Sequence, residues 1–68
     1  MKFLYEEKAH TVGDNIRHLR KDLNLTQKEL AKEVGLTQAQ ISDYERGFRV
    51  PSLHTLDKLL MYFKGEVR

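Results

Sequence analysis

The segment QAQISDYERG, residues 38–47, concentrates amide, hydroxyl and carboxylate side chains that form directional hydrogen bonds. If it is helical, with about 100° per residue, the side opposite its apolar Ile41 carries Ala39, Asp43 and Arg46, with Ser42 on one flank. A face that only needs hydration would use more Lys and Glu. Glutamine can pair with the edge of adenine, serine can donate or accept, and aspartate can accept from the amino group of cytosine. The chemistry that this segment favours is recognition of nucleic-acid bases.

Residues suited to enzyme or metal chemistry are not arranged for it. The three histidines, His10, His18 and His54, are scattered without ligand spacing, and the chain has no cysteine. A nucleophile beside a base and a glycine-rich loop for phosphates are both missing from the sequence. We therefore expect no enzyme activity, no metal and no cofactor.

The totals describe one small domain of 68 residues with a mild basic excess, 12 Lys and Arg against 10 Asp and Glu. That excess alone does not argue for a nucleic-acid partner. No apolar run approaches the ~18 residues of a membrane span, so no membrane partner is expected. The first residues, MKFLYEEKAH, do not resemble a signal peptide, and the absence of cysteine fits a reducing compartment. We expect a cytoplasmic protein, associated with the nucleoid when it is bound to DNA.

Four helices are predicted from capping residues and hydrophobic periodicity. The first begins near Thr11, where Asp14 would complete a capping box, and stops at Asn24. The next two begin at capping residues Thr26 and Thr37 and end at Gly35 and Gly47; the fourth follows Pro51, with Ser52 as its N-cap. The predicted core residues are Val12, Ile16, Leu19, Leu23, Leu30, Ala31, Val34, Ile41, Leu53, Leu56, Leu59, Leu60 and Phe63. Tyr44 lies at the edge of this set, and the pattern leaves its burial open.

The connection between the second and third helices is only Val34-Gly35-Leu36. So few residues make the two helices meet at a steep angle, which is the geometry of a helix-turn-helix. On DNA, that motif lays its second helix in the major groove.

The two ends of the chain are predicted less directly. The alternation in KFLYE favours an extended segment at residues 2–6, packed near the end of the fourth helix and able to pair with residues 65–68, within one chain or across a dimer, as a short β-ribbon. Gly65 would turn the chain out of that helix. A disordered tail is the alternative. The expected divisions are an N-terminal extension (1–10), a helix-turn-helix domain (11–64) and a C-terminal tail (65–68).

The stretch LTQKELAKEVGLTQAQISDYERG, followed by RVPSLHTLDKLL, resembles the XRE-type family of Cro and phage-repressor-like domains, over roughly residues 12–63. The resemblance implies an all-α, lambda-repressor-like bundle of four short helices where the family usually has five. It implies sequence-specific binding of double-stranded DNA by a prokaryotic or phage transcriptional regulator, a repressor. A homodimer is expected at least on DNA.

The resemblance also assigns residues to roles. It implies that Gln27 clamps a phosphate and supports Gln38, and that Arg20 pairs with Glu45; otherwise Arg20 is a solvated surface residue. The pairing would leave Arg46 and Arg49 uncompensated toward phosphate. The implied base contacts are Thr37, Gln38, Ala39, Ser42 and Asp43, and the implied backbone contacts are Arg46, Gly47, Phe48 and Arg49. Asp43 is a departure, because its charge on a groove face must be offset by a cytosine or by a neighbouring arginine.

A protein-interaction module of the same fold, of the antitoxin or anti-repressor type, is the alternative function. Its partner would be another protein, and its contact surface would come from the apolar side chains of Phe3, Leu4, Tyr5, Tyr62 and Phe63. Salt-dependent binding to bulk duplex DNA separates the two hypotheses, because only the DNA-binding protein requires it.

Overall fold

A computed structural model describes residues 8–66 of the chain. Within them the chain forms four helices and no strand: α1 (Lys8–Asp22), α2 (Gln27–Val34), α3 (Gln38–Glu45) and α4 (Leu53–Glu66). α3 packs against α1 and α2, and α4 packs against α2. This arrangement confirms the predicted all-α bundle with a helix-turn-helix at α2 and α3. Between residues 8 and 66, no helix is both long and apolar enough to cross a membrane.

Both outer helix boundaries differ from the prediction. α1 begins at Lys8, so Thr11 lies inside the helix and the predicted capping box with Asp14 is wrong. The preceding Lys8 and Ala9 favour helix and extend it toward the N-terminus. α4 continues through Gly65 to Glu66, so Gly65 does not turn the chain and the strand predicted at 65–68 is wrong for these two residues. The extended segment predicted at residues 2–6 lies outside the described residues.

The core contains the stripe that the periodicity predicted, together with one aromatic residue that it left open. The fully or nearly fully buried apolar side chains are Ile16, Leu30, Ala31, Val34, Ile41, Tyr44, Leu59 and Phe63. Burial of Phe63 also contradicts its assignment to an exposed partner-binding surface. Leu53 and Leu60 were predicted in the core, but they are 86% and 47% exposed. On α4 both lie about 100° or more from Leu59, beyond the arc that the other helices cover.

Candidate nucleic-acid interface

The two helices of the corner begin with the same local structure. The Thr26 hydroxyl accepts from the backbone N–H of Glu29 at 3.0 Å, and the Glu29 carboxylate accepts from the Thr26 N–H at 2.8 Å. Thr37 and Gln40 repeat this reciprocal pair at 3.1 and 2.9 Å. Both are complete capping boxes, as the sequence predicted. They satisfy backbone donors that a helix start otherwise leaves open.

The turn between these helices depends on Gly35. Its φ of 74° is in the left-handed region, which costs a glycine little, and its N–H donates to the carbonyl of Ala31. The N–H of Leu36 donates to the same carbonyl at 2.8 Å. α2 therefore stops abruptly, and Thr37 starts α3 two residues after the glycine.

The first turn of α3 projects into solvent. Thr37, Gln38 and Ala39 are exposed, whereas Ser42 and Asp43 are half-buried. Ile41, on the opposite side, is fully buried. The residues that the resemblance assigns to base contact thus share the outer side of α3, at and after its N-terminus.

The last turn of α3 is enclosed instead. Tyr44 and Glu45 are each only 4% exposed, and α1 crosses them at Gly13. A Cβ atom added to Gly13 would overlap the Tyr44 carbonyl oxygen and lie 3.1 Å from that of Glu45. The two helix backbones touch here because Gly13 has no side chain.

A buried ion pair lies at the same junction. Arg20 of α1 donates from Nε to Glu45 Oε2 at 2.7 Å and from Nη2 to Glu45 Oε1 at 3.0 Å. Its Nη1 donates to the carbonyl of Leu25 at 2.8 Å. Arg20 is 9% exposed. The ion pair that the family resemblance implied is therefore present, and the alternative of a solvated Arg20 is wrong. Parallel bonds between a guanidinium and a carboxylate are strong and fix the geometry of both groups.

Gln27, the first residue of α2, joins this pair. Its Nε2 donates to Glu45 Oε1 at 3.1 Å, so three helices share one carboxylate. Every buried side-chain nitrogen or oxygen in the described part of the chain has a hydrogen-bond partner. The amide of Gln27 is thus oriented by Glu45, a contact that the sequence did not predict.

The loop after α3 holds two cations next to polar or aromatic partners. The Arg46 guanidinium lies 4.4 Å from the centre of the Phe48 ring, which is 71% exposed. Arg49 Nε lies 3.8 Å from Asp43 Oδ2. The Asp43 carbonyl also accepts from the Phe48 N–H at 2.9 Å. Asp43 therefore has a neighbouring arginine, and the prediction that Arg49 has no acidic partner is wrong, but the Arg49 side chain remains 61% exposed.

The close helix contact at Gly13 was not predicted, although the sequence contains a signal for it. A glycine inside a helix costs about 1 kcal/mol relative to alanine. Its presence among the periodic residues of α1 therefore indicates a close backbone approach. Arg17, whose Nε lies 3.8 Å from Glu45 Oε1, was missed as well. Its proximity depends on how α1 crosses α3, which no local pattern encodes.

Comparison with known proteins gives a consistent family. The model of a helix-turn-helix family matches residues 16–67. The HTH-type transcriptional regulator DicA of Escherichia coli is 40% identical over 58 residues, which cover 81% of this chain and 43% of DicA. The immunity repressor protein of Bacillus phage phi105 is 43% identical over 47 residues, or 69% of this chain and 33% of the repressor.

A third relative is named for a different role. Antitoxin PezA of Streptococcus pneumoniae is 38% identical over 52 residues, or 76% of this chain and 33% of the antitoxin. The chain spans less than half the length of these three relatives. No solved structure matches the chain significantly. The matching family is a helix-turn-helix family, and the first two relatives are named as a transcriptional regulator and a repressor, which confirms the prediction that the chain is not an enzyme.

Proposed function

This chain belongs to the XRE-type helix-turn-helix family, and from that premise we propose that it binds double-stranded DNA with α3 in the major groove. One observation carries the proposal: the polar first turn of α3 is exposed while its last turn is buried. A helix fixed at one end can present the other end to base edges without rearrangement. The names of DicA and the phage repressor support transcriptional regulation as the purpose of this binding.

We assign base recognition to the outer side of α3. Gln38 is exposed at the tip of the helix, where a bidentate amide can reach an adenine. Ser42 and Asp43 lie one turn further along the same side. The Asp43 carboxylate, which is near Arg49, can accept from the amino group of a cytosine. Thr37 and Ala39 complete the base-facing surface, since the small Ala39 allows close approach.

Contacts to the DNA backbone are proposed on both sides of that surface. Gln27 uses one amide proton toward Glu45, which leaves its second amide proton and the α2 N-terminus for a phosphate. On the other side, the exposed Arg46 and Arg49 supply cations, and Gly47 and Phe48 lie between them. The Phe48 ring holds the Arg46 guanidinium next to it, which lowers the entropy lost on contact.

The test is selection from a random duplex pool, followed by affinity measurements on the selected site and on random DNA. Gln38→Ala should lose about 1–3 kcal/mol on the selected site and relax the preference at one position. Arg49→Ala should weaken all duplexes alike and reduce the salt slope by about one unit. Equal losses on selected and random DNA for Gln38→Ala would contradict the base-reading role.

A homodimer on DNA is part of the proposal. Leu60 and Met61 of α4 are 47% and 64% exposed, and Leu60 borders an apolar groove between α1 and α4 with a volume of about 210 Å³. Such a surface favours association with another chain. A footprint with two half-sites about 34 Å apart is expected; a footprint of a single half-site would contradict the dimer.

The protein-interaction alternative keeps one supporting observation, the similarity to an antitoxin. Of the surface predicted for the interaction module, Phe63 is buried in the core, and Phe3, Leu4 and Tyr5 lie outside the described residues. Binding to bulk duplex that weakens steeply with salt favours the DNA-binding function. Absence of that binding would favour the interaction module. We place the DNA-binding protein in the cytoplasm, on the nucleoid.

A further inference from the structure

The buried carboxylate of Glu45 has two guanidinium groups beside it but accepts hydrogen bonds from only one of them. Arg20 occupies both oxygens at 2.7 and 3.0 Å, and Gln27 adds a third bond at 3.1 Å. Arg17 Nε stays 3.8 Å from Oε1, which is too long for a hydrogen bond. The hydrogen-bonding needs of Glu45 are therefore met without Arg17.

The two arginines differ sharply in exposure. The Arg20 side chain is 11% exposed and that of Arg17 is 46% exposed, against 2% for the Glu45 side chain. Arg20 alone neutralises the carboxylate, so the three groups together carry a net charge of +1. Since Arg17 makes no hydrogen bond to another of the described residues, its five donors remain available to an external acceptor.

The surplus cation lies next to a residue already assigned to the DNA backbone. Arg17 Nε and Gln27 Nε2 are both within 4 Å of the same oxygen, Glu45 Oε1. Gln27 opens α2, and the Thr26 hydroxyl binds only the N–H of Glu29 in that first turn. Arg17 thus adds a guanidinium to a place where free helix N–H groups already favour an anion.

We propose that Arg17 binds a DNA backbone phosphate from α1, held in position by the buried carboxylate of Glu45. This inference rests on the proposed DNA-binding function and adds a residue to it. The attraction of Glu45 limits the conformations of Arg17 before binding, so less side-chain entropy is lost on contact. A guanidinium matches two phosphate oxygens at once. The contact would fix the orientation of α3 on the duplex through Glu45, the residue that ends α3.

The experiment compares Arg17→Gln with wild type in duplex binding at several salt concentrations and in thermal unfolding. The plot of log affinity against log salt should lose about 0.9 units of slope, since one phosphate contact releases about that many counterions. Affinity should fall on the selected site and on random DNA by the same factor. The melting temperature should stay at the wild-type value because Arg20 and Gln27 still satisfy Glu45. Arg17→Lys should recover most of the slope.

Lys32→Gln is the matched control. Lys32 is exposed in the last turn of α2, at the opposite end of that helix from Gln27. The Lys32→Gln substitution removes the same charge, and the salt slope of this variant should equal that of the wild type. An unchanged slope for Arg17→Gln, or a slope equal to that of Lys32→Gln, would overturn the inference. A lower melting temperature with an unchanged slope would assign Arg17 to folding only.

The wild-type measurement separates this inference from the function on which it rests. If the wild-type chain binds duplex DNA with a steep salt dependence while Arg17→Gln matches it, only the Arg17 contact is wrong. If the wild type shows no salt-dependent binding, both the proposed function and this contact are overturned.

Discussion

The two ends of α3 are built in opposite ways. At the N-terminal end, Gln38 and Ala39 are exposed, and the capping box of Thr37 is a purely local structure. At the C-terminal end, Tyr44 and Glu45 are buried against α1 and α2. Helices of eight residues are unstable alone in water. Packing of the buried end therefore fixes the position of the whole helix, including that of its exposed end.

The largest expected effect comes from the buried end, through Glu45→Gln. This change removes the charge that Arg20 faces at 2.7 Å and leaves a guanidinium without its counter-ion in a buried place. Breaking such a pair costs about 3–5 kcal/mol. Urea or thermal unfolding measures the loss. Glu33→Gln on the exposed side of α2 is the control. Equal melting temperatures for the two variants would show that the buried end of α3 does not depend on the Glu45 ion pair.

Gly13→Ala should rank second. The added methyl group would overlap the Tyr44 carbonyl, so α1 and α3 must separate, and overpacking of this kind costs about 1–3 kcal/mol. Gly65→Ala is the matched control, because nothing lies within 4 Å of its added Cβ. There alanine should stabilise α4 by up to about 1 kcal/mol. Opposite signs in thermal unfolding are expected, and a neutral Gly13→Ala would show that the helices do not touch there.

The smallest effect should come from the exposed end, through Thr37→Ala. Losing the hydroxyl that accepts from the Gln40 N–H at 3.1 Å removes one cap, which is typically worth about 1 kcal/mol. Thr37→Ser keeps the hydroxyl and should unfold close to wild type. If Thr37→Ala destabilised the domain as much as Glu45→Gln, the N-terminal end of α3 would have to be anchored by more than its cap.

Local signals predicted those features of the fold that are decided within a few residues. The caps at Thr26 and Thr37 and the left-handed residues Asn24 (φ 59°) and Gly35 (φ 74°) all follow from the chemistry of single positions. The predicted start of α1 was wrong because Thr11 can cap a helix or continue one. Lys8 and Ala9 before it favour helix, but a local preference of that size is too weak to decide between the two.

Features that depend on which helix covers which were only partly predictable. Periodicity identified the apolar side of α4, but not how wide an arc its neighbours cover, and so Leu53 and Leu60 were placed wrongly. In the candidate site, the position of Asp43 on the outer side of α3 could be inferred from the helical period. The side-chain geometry of Arg49 beside it could not, since the loop conformation sets the 3.8 Å distance.

The exposure of the first turn of α3 also bears on how such a protein can diversify. Gln38 and Ala39 are exposed, so substitutions there are expected to change little in the free energy of unfolding. Gly13, Arg20 and Glu45 have no such freedom, because each touches a neighbouring helix. Under the proposed function, single substitutions at the outer turn are therefore expected to give a new DNA target while the three-helix junction stays the same.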